Sequence, residues 1–342
     1  MQGTILLIYT GGTIGMVKSA GSDALQAFDF KTLLNNIPEL NLLDCHIDTV
    51  SFSRPLDSSE MNPQHWVEMA SIIQNHYDKY DGFVVLHGSD TMSYTASALS
   101  FMLENLNKPV ILTGSQLPIG DLRTDAKENL ITAVQLASLR QNNEPVIKEV
   151  GLYFEYKLYR GNRTTKIDAD HFEAFASYNF PPLVTSGVRL VVQHQLLWDF
   201  AGTKPLKVHT DLESRVGIIK MFPGITPEFF DHLASFDNLK GLVIETYGSG
   251  NATTAQWFLD VLKAIIDKGV HVVNVTQCAG GRVSMGHYKT SQSLLKIGVI
   301  SGKDITTEAA ITKMMYLLGN SAPKSEFKTL FETSLRGELT EN

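Results

Sequence analysis

Cysteine is scarce in this chain, with only Cys45 and Cys278 among 342 residues. The two stand far apart and make no C-x-x-C, which excludes a disulfide scaffold and leaves two reduced thiols as the expectation. The ten histidines form no H-E-x-x-H and no tight cluster with cysteine or aspartate, so no metal site is expected. Positive charge is not in excess either: 29 Lys and Arg stand against 36 Asp and Glu, a formal net charge of −7. A nucleic-acid binder shows a basic face, and the one basic run here, Arg160 to Lys166, is short. No apolar stretch approaches the length of a membrane span. The first apolar run, residues 5–9, has no basic region before it and reads as a strand rather than a signal peptide. These absences point to a cytoplasmic protein with no cofactor, no nucleic-acid partner and no membrane partner.

What is present is an α/β pattern. A chain of 342 residues, 43% hydrophobic and 19% charged, exceeds one ordinary core and predicts two domains. Strand-like segments lie at 5–9, 47–52, 82–86, 109–112 and 150–154, and the last four are apolar enough to be buried on both faces. Helix-like segments separate them. One begins at Asn62-Pro63, an N-cap followed by proline, with Trp66, Met69, Ile73 and Tyr77 on one face. A second follows Asp90, with Met92, Leu99, Met102 and Leu106 on one face, and a third spans about 125–140. Alternating strands and helices mean a parallel sheet. From about 195 to 214 the pattern dissolves, and it resumes with strands near 216–221, 242–246 and 270–275. Helices are expected near 226–235, 253–268, 306–318 and 324–335. The expected architecture is a large N-terminal domain (1–194) with a mainly parallel sheet flanked by helices, a linker (195–214), and a smaller C-terminal α/β domain (215–342).

Two short runs follow strand-like segments: Thr10-Gly11-Gly12-Thr13-Ile14-Gly15 and His87-Gly88-Ser89-Asp90-Thr91. Ligands of such sheets bind outside the carboxyl ends of the strands, so both runs should meet in one cleft. The first run is neither G-x-G-x-x-G nor a P-loop. Its G-x-T-x-G spacing fits a hydroxyl nucleophile at a tight turn, or simply a structural turn. Ser89-Asp90 also fits a helix N-cap, as does Asp57-Ser58-Ser59 ahead of the helix near 62. Lys166 is either a solvated surface group or the partner of Asp90 in a pair that activates a hydroxyl. Residues 16–30, which lack a clear period, read equally as a lid over the first motif or as a surface loop. His87 reads as structural.

Taken together, these runs resemble the bacterial-type L-asparaginase family, and more closely its cytoplasmic type I branch. The motifs that carry the resemblance run in order from Tyr9 to Gly15, through Asp57-Ser58-Ser59, Leu86 to Thr91, Thr113-Gly114-Ser115-Gln116, Tyr159 to Lys166 and Tyr247-Gly248-Ser249-Gly250-Asn251, to Leu335-Arg336-Gly337-Glu338-Leu339-Thr340. The resemblance implies hydrolysis of L-asparagine to aspartate and ammonia. It implies Thr13 as nucleophile, and Ser89, Asp90 and Lys166 as a second catalytic set. Ser58, Ser59 and Asp90 would hold the α-carboxylate and α-amino groups, with Ser115 beside the leaving amide. Asn251 would reach the pocket of a neighbouring subunit in a homodimer or homotetramer.

Three departures from the family pattern stand out. Ser89 occupies a position usually held by threonine. Residues 16–30 contain no tyrosine, and Asp23 falls near its expected place. At an activating asparagine site of some relatives, Thr165 and Cys278 are kept but Glu245 replaces an arginine, and an acid does not grip a carboxylate. Alternatives within the family are a glutaminase or the amidase of a glutamyl-tRNA amidotransferase, the latter disfavoured by the acidic charge. A catalytically weak amino-acid sensor is the alternative from another class.

Overall fold

A computed structural model describes residues 3–18, 25–27, 37–198, 204–236, 238–286 and 289–341. The chain divides into two compact units, Met1–Thr210 and Asp211–Asn342. No helix among the described residues is long and apolar enough to cross a membrane.

The N-terminal unit is built on one sheet of eight strands. In chain order these are β1 (Gly3–Gly11), β2 (Cys45–Leu56), β3 (Gly82–Leu86), β4 (Val110–Thr113), β5 (Val150–Phe154), β6 (Lys157–Arg160), β7 (Val184–Thr185) and β8 (Val191–Val192). Their order across the sheet is β8-β7-β6-β5-β4-β3-β1-β2. The five strands from β5 to β2 are parallel, and β6, β7 and β8 extend the sheet antiparallel. Helices α1 (Pro63–His76), α2 (Met92–Met102) and α3 (Ala126–Ser138) make the crossovers. The Asn62 side chain accepts from the N–H groups of Gln64 and His65, so the predicted cap and Pro63 start α1 as the sequence implied.

Two expectations about burial need correction. Segment 47–52 is not buried on both faces: within β2 only Phe52 is buried. The reason is topological, since β2 is the sheet edge while β1, which pairs on both sides, is buried from Ile5 to Gly11. In α2 burial is not confined to one face. Every residue but Tyr94 is buried, and Leu106 lies beyond the helix end. Most of segment 16–30, Asp23 included, lies outside the described residues; Met16–Lys18 pairs antiparallel with Leu25–Ala27. Within 195–214, Lys207–Val208 pairs with Leu103–Glu104 of the N-terminal unit.

The C-terminal unit is a four-stranded parallel sheet, β9 (Val216–Lys220), β10 (Gly241–Thr246), β11 (His271–Thr276) and β12 (Ile300–Ser301), in that order. Helices α4 (Pro227–Ala234), α5 (Gln256–Asp267), α6 (Lys289–Ile297), α7 (Thr307–Gly319) and α8 (Phe327–Glu332) accompany it. A core of Phe230, Phe258, Leu262, Leu242 and Ile244 joins the sheet to α4 and α5. The carboxyl-terminal stretch is fastened by a fully buried pair. Lys313 donates to Glu338 and to the carbonyls of Phe331 (2.8 Å) and Thr333 (2.6 Å).

Candidate active site

The site grows from the carboxyl ends of neighbouring strands. At the end of β1 the chain turns through Gly11 and Gly12 into a 3-10 turn, Thr13–Gly15. Gly12 has φ +86°, and a carbon branch on it would lie 2.5 Å from the Gly88 nitrogen. A branch on Gly88 would lie 2.6 Å from the Ser58 hydroxyl. Glycine at position 12 lets the strand-end loops after β1 and β3 touch backbone to backbone, and glycine at 88 leaves room for the Ser58 side chain of the loop after β2. Hydrogen bonds fix the contact: Gly12 N–H donates to Leu56 O (3.0 Å), the Thr10 hydroxyl to Leu86 O (2.8 Å), and the Thr91 hydroxyl to Ser58 O (2.7 Å).

Beneath this floor lies His87, fully buried. Its Nδ1 is 2.7 Å from Gly88 O, and its Nε2 is 2.9 Å from the Thr95 hydroxyl, which also accepts from the Trp66 indole N–H at 3.0 Å. A carbonyl only accepts, so the ring proton sits on Nδ1 and Nε2 accepts from Thr95. Burial pulls His87 down to about 4, which keeps it neutral. Its role is to hold the Gly88 carbonyl, one residue before Ser89.

Ser89–Thr91 forms a 3-10 turn leading into α2, and no side chain there bonds the backbone as a cap. Lys166 arrives from a short hairpin in which Thr165–Lys166 pairs with Phe175–Ala176. Its ammonium donates to the Ser89 hydroxyl at 2.9 Å and to Asp90 Oδ1 at 2.6 Å. The Lys166 side chain is 19% exposed and that of Asp90 63% exposed, so the pair opens to solvent. At the end of β4, Ser115 is buried and donates to Leu117 O (2.6 Å). Asp125 accepts from the N–H groups of Gln116 (2.9 Å) and Leu117 (3.1 Å), while Asn129 donates to Gly114 O (3.1 Å). Burial raises the Asp125 carboxyl above its ordinary value against these donors.

Several predicted residues therefore come together. Ser89, Asp90 and Lys166 are bonded directly, Ser58 lies against Gly88, and half-buried Thr13 follows the glycine that packs on the same loop. Asp57 caps the Ser58–Glu60 turn by accepting from Ser59 N–H, and Ser59 is exposed. Of the remaining candidates, Thr165 lies in the N-terminal hairpin, next to Lys166, and the others belong to the C-terminal unit. Asn251 closes a tight turn with Tyr247 at the end of β10, Glu245 Oε1 accepts from the Thr307 hydroxyl (2.6 Å), and Cys278 is exposed. Sequence reasoning missed Gln116 and Asp125. Gln116 stood in a quoted motif, but its partners lie far along the chain.

Residues 4–198 match the family model described as asparaginase, N-terminal, and residues 215–331 match the glutaminase/asparaginase C-terminal domain. The chain belongs to the asparaginase family. It is 44% identical over 340 residues to L-asparaginase 1 of Escherichia coli, covering 98% of both chains. It is also 41% identical to the 60 kDa lysophospholipase of Mus musculus, covering 98% of this chain and 62% of that protein. The crystal structure of L-asparaginase I from Vibrio cholerae superposes with a TM-score of 0.90 at 41% identity, covering all of both chains. Within an asparaginase-family chain, the strand-end cluster is the natural candidate for the reacting centre.

Proposed function

We propose that this protein hydrolyses the side-chain amide of L-asparagine, giving L-aspartate and ammonia through an acyl intermediate on Thr13. The observation that carries the site assignment is the Lys166 ammonium, bonded at once to Ser89 and Asp90 beside the Thr13 turn. An amide is a poor electrophile, so a covalent intermediate divides one hard step into two. The Thr13 oxygen bonds to the amide carbon, its proton passes to the departing nitrogen, and ammonia leaves. A water molecule, its proton taken up by the Ser89–Lys166–Asp90 set, then attacks the ester carbon, and that proton passes to the Thr13 oxygen as its bond to the carbon breaks. Ser58, Ser59 and Asp90 bind the α-carboxylate and α-amino groups, and Ser115 borders the leaving amide. Asn251 serves the pocket of a neighbouring subunit in a homodimer or homotetramer. In this reading residues 1–194 are the catalytic domain, 195–214 the linker and 215–342 the partner-facing domain, and the protein works in the cytoplasm without a cofactor. Glu245, where some relatives carry an arginine of an activating site, accepts from Thr307, and an acid does not grip a ligand carboxylate, so activation of that form is not expected.

The test is a coupled ammonia assay over an asparagine series, with glutamine in parallel. Wild type releases ammonia from asparagine. Thr13→Ala loses about 10³-fold or more in kcat while keeping its circular dichroism and its calorimetric asparagine binding. Unchanged turnover would remove Thr13 as nucleophile, and a higher kcat/KM for glutamine would make the protein a glutaminase.

A further inference from the structure

Gln116 has a side chain that the reaction scheme above does not use. Its amide nitrogen donates to Ala169 O (3.2 Å) and His171 O (3.1 Å). Both partners are carbonyls, which only accept, so the two amide hydrogens are committed and the orientation of the group is fixed. Its oxygen therefore faces Ser89, 3.0 Å from the hydroxyl. That oxygen cannot donate, so the Ser89 hydroxyl donates to it, and the Ser89 oxygen then accepts from Lys166 at 2.9 Å. The hydrogen of the hydroxyl and one of its two lone pairs are thus both engaged in one rotamer.

We propose that Gln116 is a positioning residue that sets the Ser89 hydroxyl, with its proton on the glutamine oxygen and its lone pair on Lys166. Serine lacks the second γ substituent that stiffens χ1 in threonine, and no backbone bond holds Ser89 as a cap. Gln116 supplies that restriction from outside. It is itself anchored at both ends. Asp125 grips its backbone N–H, and the turn bearing its carbonyl partners is tied by Asp168, which accepts from the N–H groups of Asp170 and His171 at 2.8 Å each. One amide thus links the turns at 89–91, 115–117 and 168–171. The inference rests on the proposed role of Ser89 and Lys166 in the hydrolysis.

Four proteins test it: wild type, Gln116→Leu, Ser89→Thr, and the double variant. Gln116→Leu lowers kcat about tenfold and leaves KM within about twofold, the expected loss from one misplaced hydroxyl. Adding Ser89→Thr to Gln116→Leu recovers most of the loss, because the methyl restores the rotamer preference. An equal fall in both backgrounds, or no fall, overturns the proposal. A crystal structure of Gln116→Leu reads the same point without turnover: Ser89 spreads over more than one χ1 rotamer, and a single unchanged rotamer overturns the proposal. If wild type released no ammonia, the amidohydrolase reading would fall and the rotamer measurement alone would decide this one. Should the leucine variant not fold, Gln116→Glu replaces it, since it keeps an acceptor for Ser89 but sets oxygen against two carbonyls. The same rescue by Ser89→Thr is then expected, and its absence overturns the proposal.

Discussion

Two lysine–carboxylate pairs, Lys313–Glu338 in the C-terminal unit and Lys166–Asp90 in the N-terminal unit, have opposite settings. Lys313 and Glu338 are 0% exposed. Lys313 spends all three ammonium hydrogens, on Glu338 and two carbonyls, while Glu338 also accepts from the N–H groups of Leu335 and Arg336. Burial pulls Lys313 below its ordinary value against the pull of Glu338. Burial also pushes Glu338 up, but the Lys313 charge and the two N–H donors hold its carboxyl lower. Lys166 and Asp90 make the same kind of contact at 2.6 Å, yet Asp90 is 63% exposed and Lys166 spends two hydrogens on side chains. The first pair fastens a chain end. The second leaves its carboxylate largely open to solvent. Chemistry alone does not separate the two; the surroundings do.

The comparison breaks first at the buried pair. Lys313→Met should cost about 3–5 kcal/mol of unfolding free energy, because it strands a carboxylate in the core; urea unfolding measures it, and a loss under about 1 kcal/mol would erase the contrast. Next comes the histidine under the cleft. His87 is held at about 4 against an ordinary 6.5, so between those values the unfolded chain binds the extra proton and stability falls as pH drops. The full fall is on the order of 3 kcal/mol, and His87→Gln should flatten it when unfolding is compared at pH 7 and pH 4.5. Lys166→Met should then shift unfolding by less than about 1 kcal/mol, as an exposed pair implies, while abolishing ammonia release. The smallest effect concerns Glu155, at the tip of the β5–β6 hairpin. Burial, then the charges of Asp125, Glu128 and Glu173, raise it to about 7. Its stabilising share is present at low pH and lost as pH rises through 7. Glu155→Gln should therefore raise Tm by roughly a degree at pH 8 and by nothing at pH 5.

Much of this arrangement was legible in the residues. Four of the five parallel strands announce themselves as short apolar runs, β2 was read only over 47–52 of its Cys45–Leu56 span, and Asn62-Pro63 places the start of α1 to the residue. The antiparallel strands β7 and β8, two residues each, leave no periodic signal. Helix α6 was missed because its sequence, KTSQSLLKI, is too polar and too short to show a stripe. The glycine-hydroxyl runs revealed the strand-end loops because tight backbone contact demands glycine. The grip of Gln116 on the 169–171 carbonyls was invisible, since a hydrogen bond across more than 50 residues leaves no mark on spacing.

The placement of β1 has a consequence for synthesis. Its apolar residues are flanked by β2 on one side and by β3, residues 82–86, on the other. A nascent chain that has emerged only as far as β2 still carries a half-covered hydrophobic strand. Parallel pairing across such distances is slow and exposes sticky surface meanwhile. Ribosome-associated chaperones should hold this chain until the third strand has emerged.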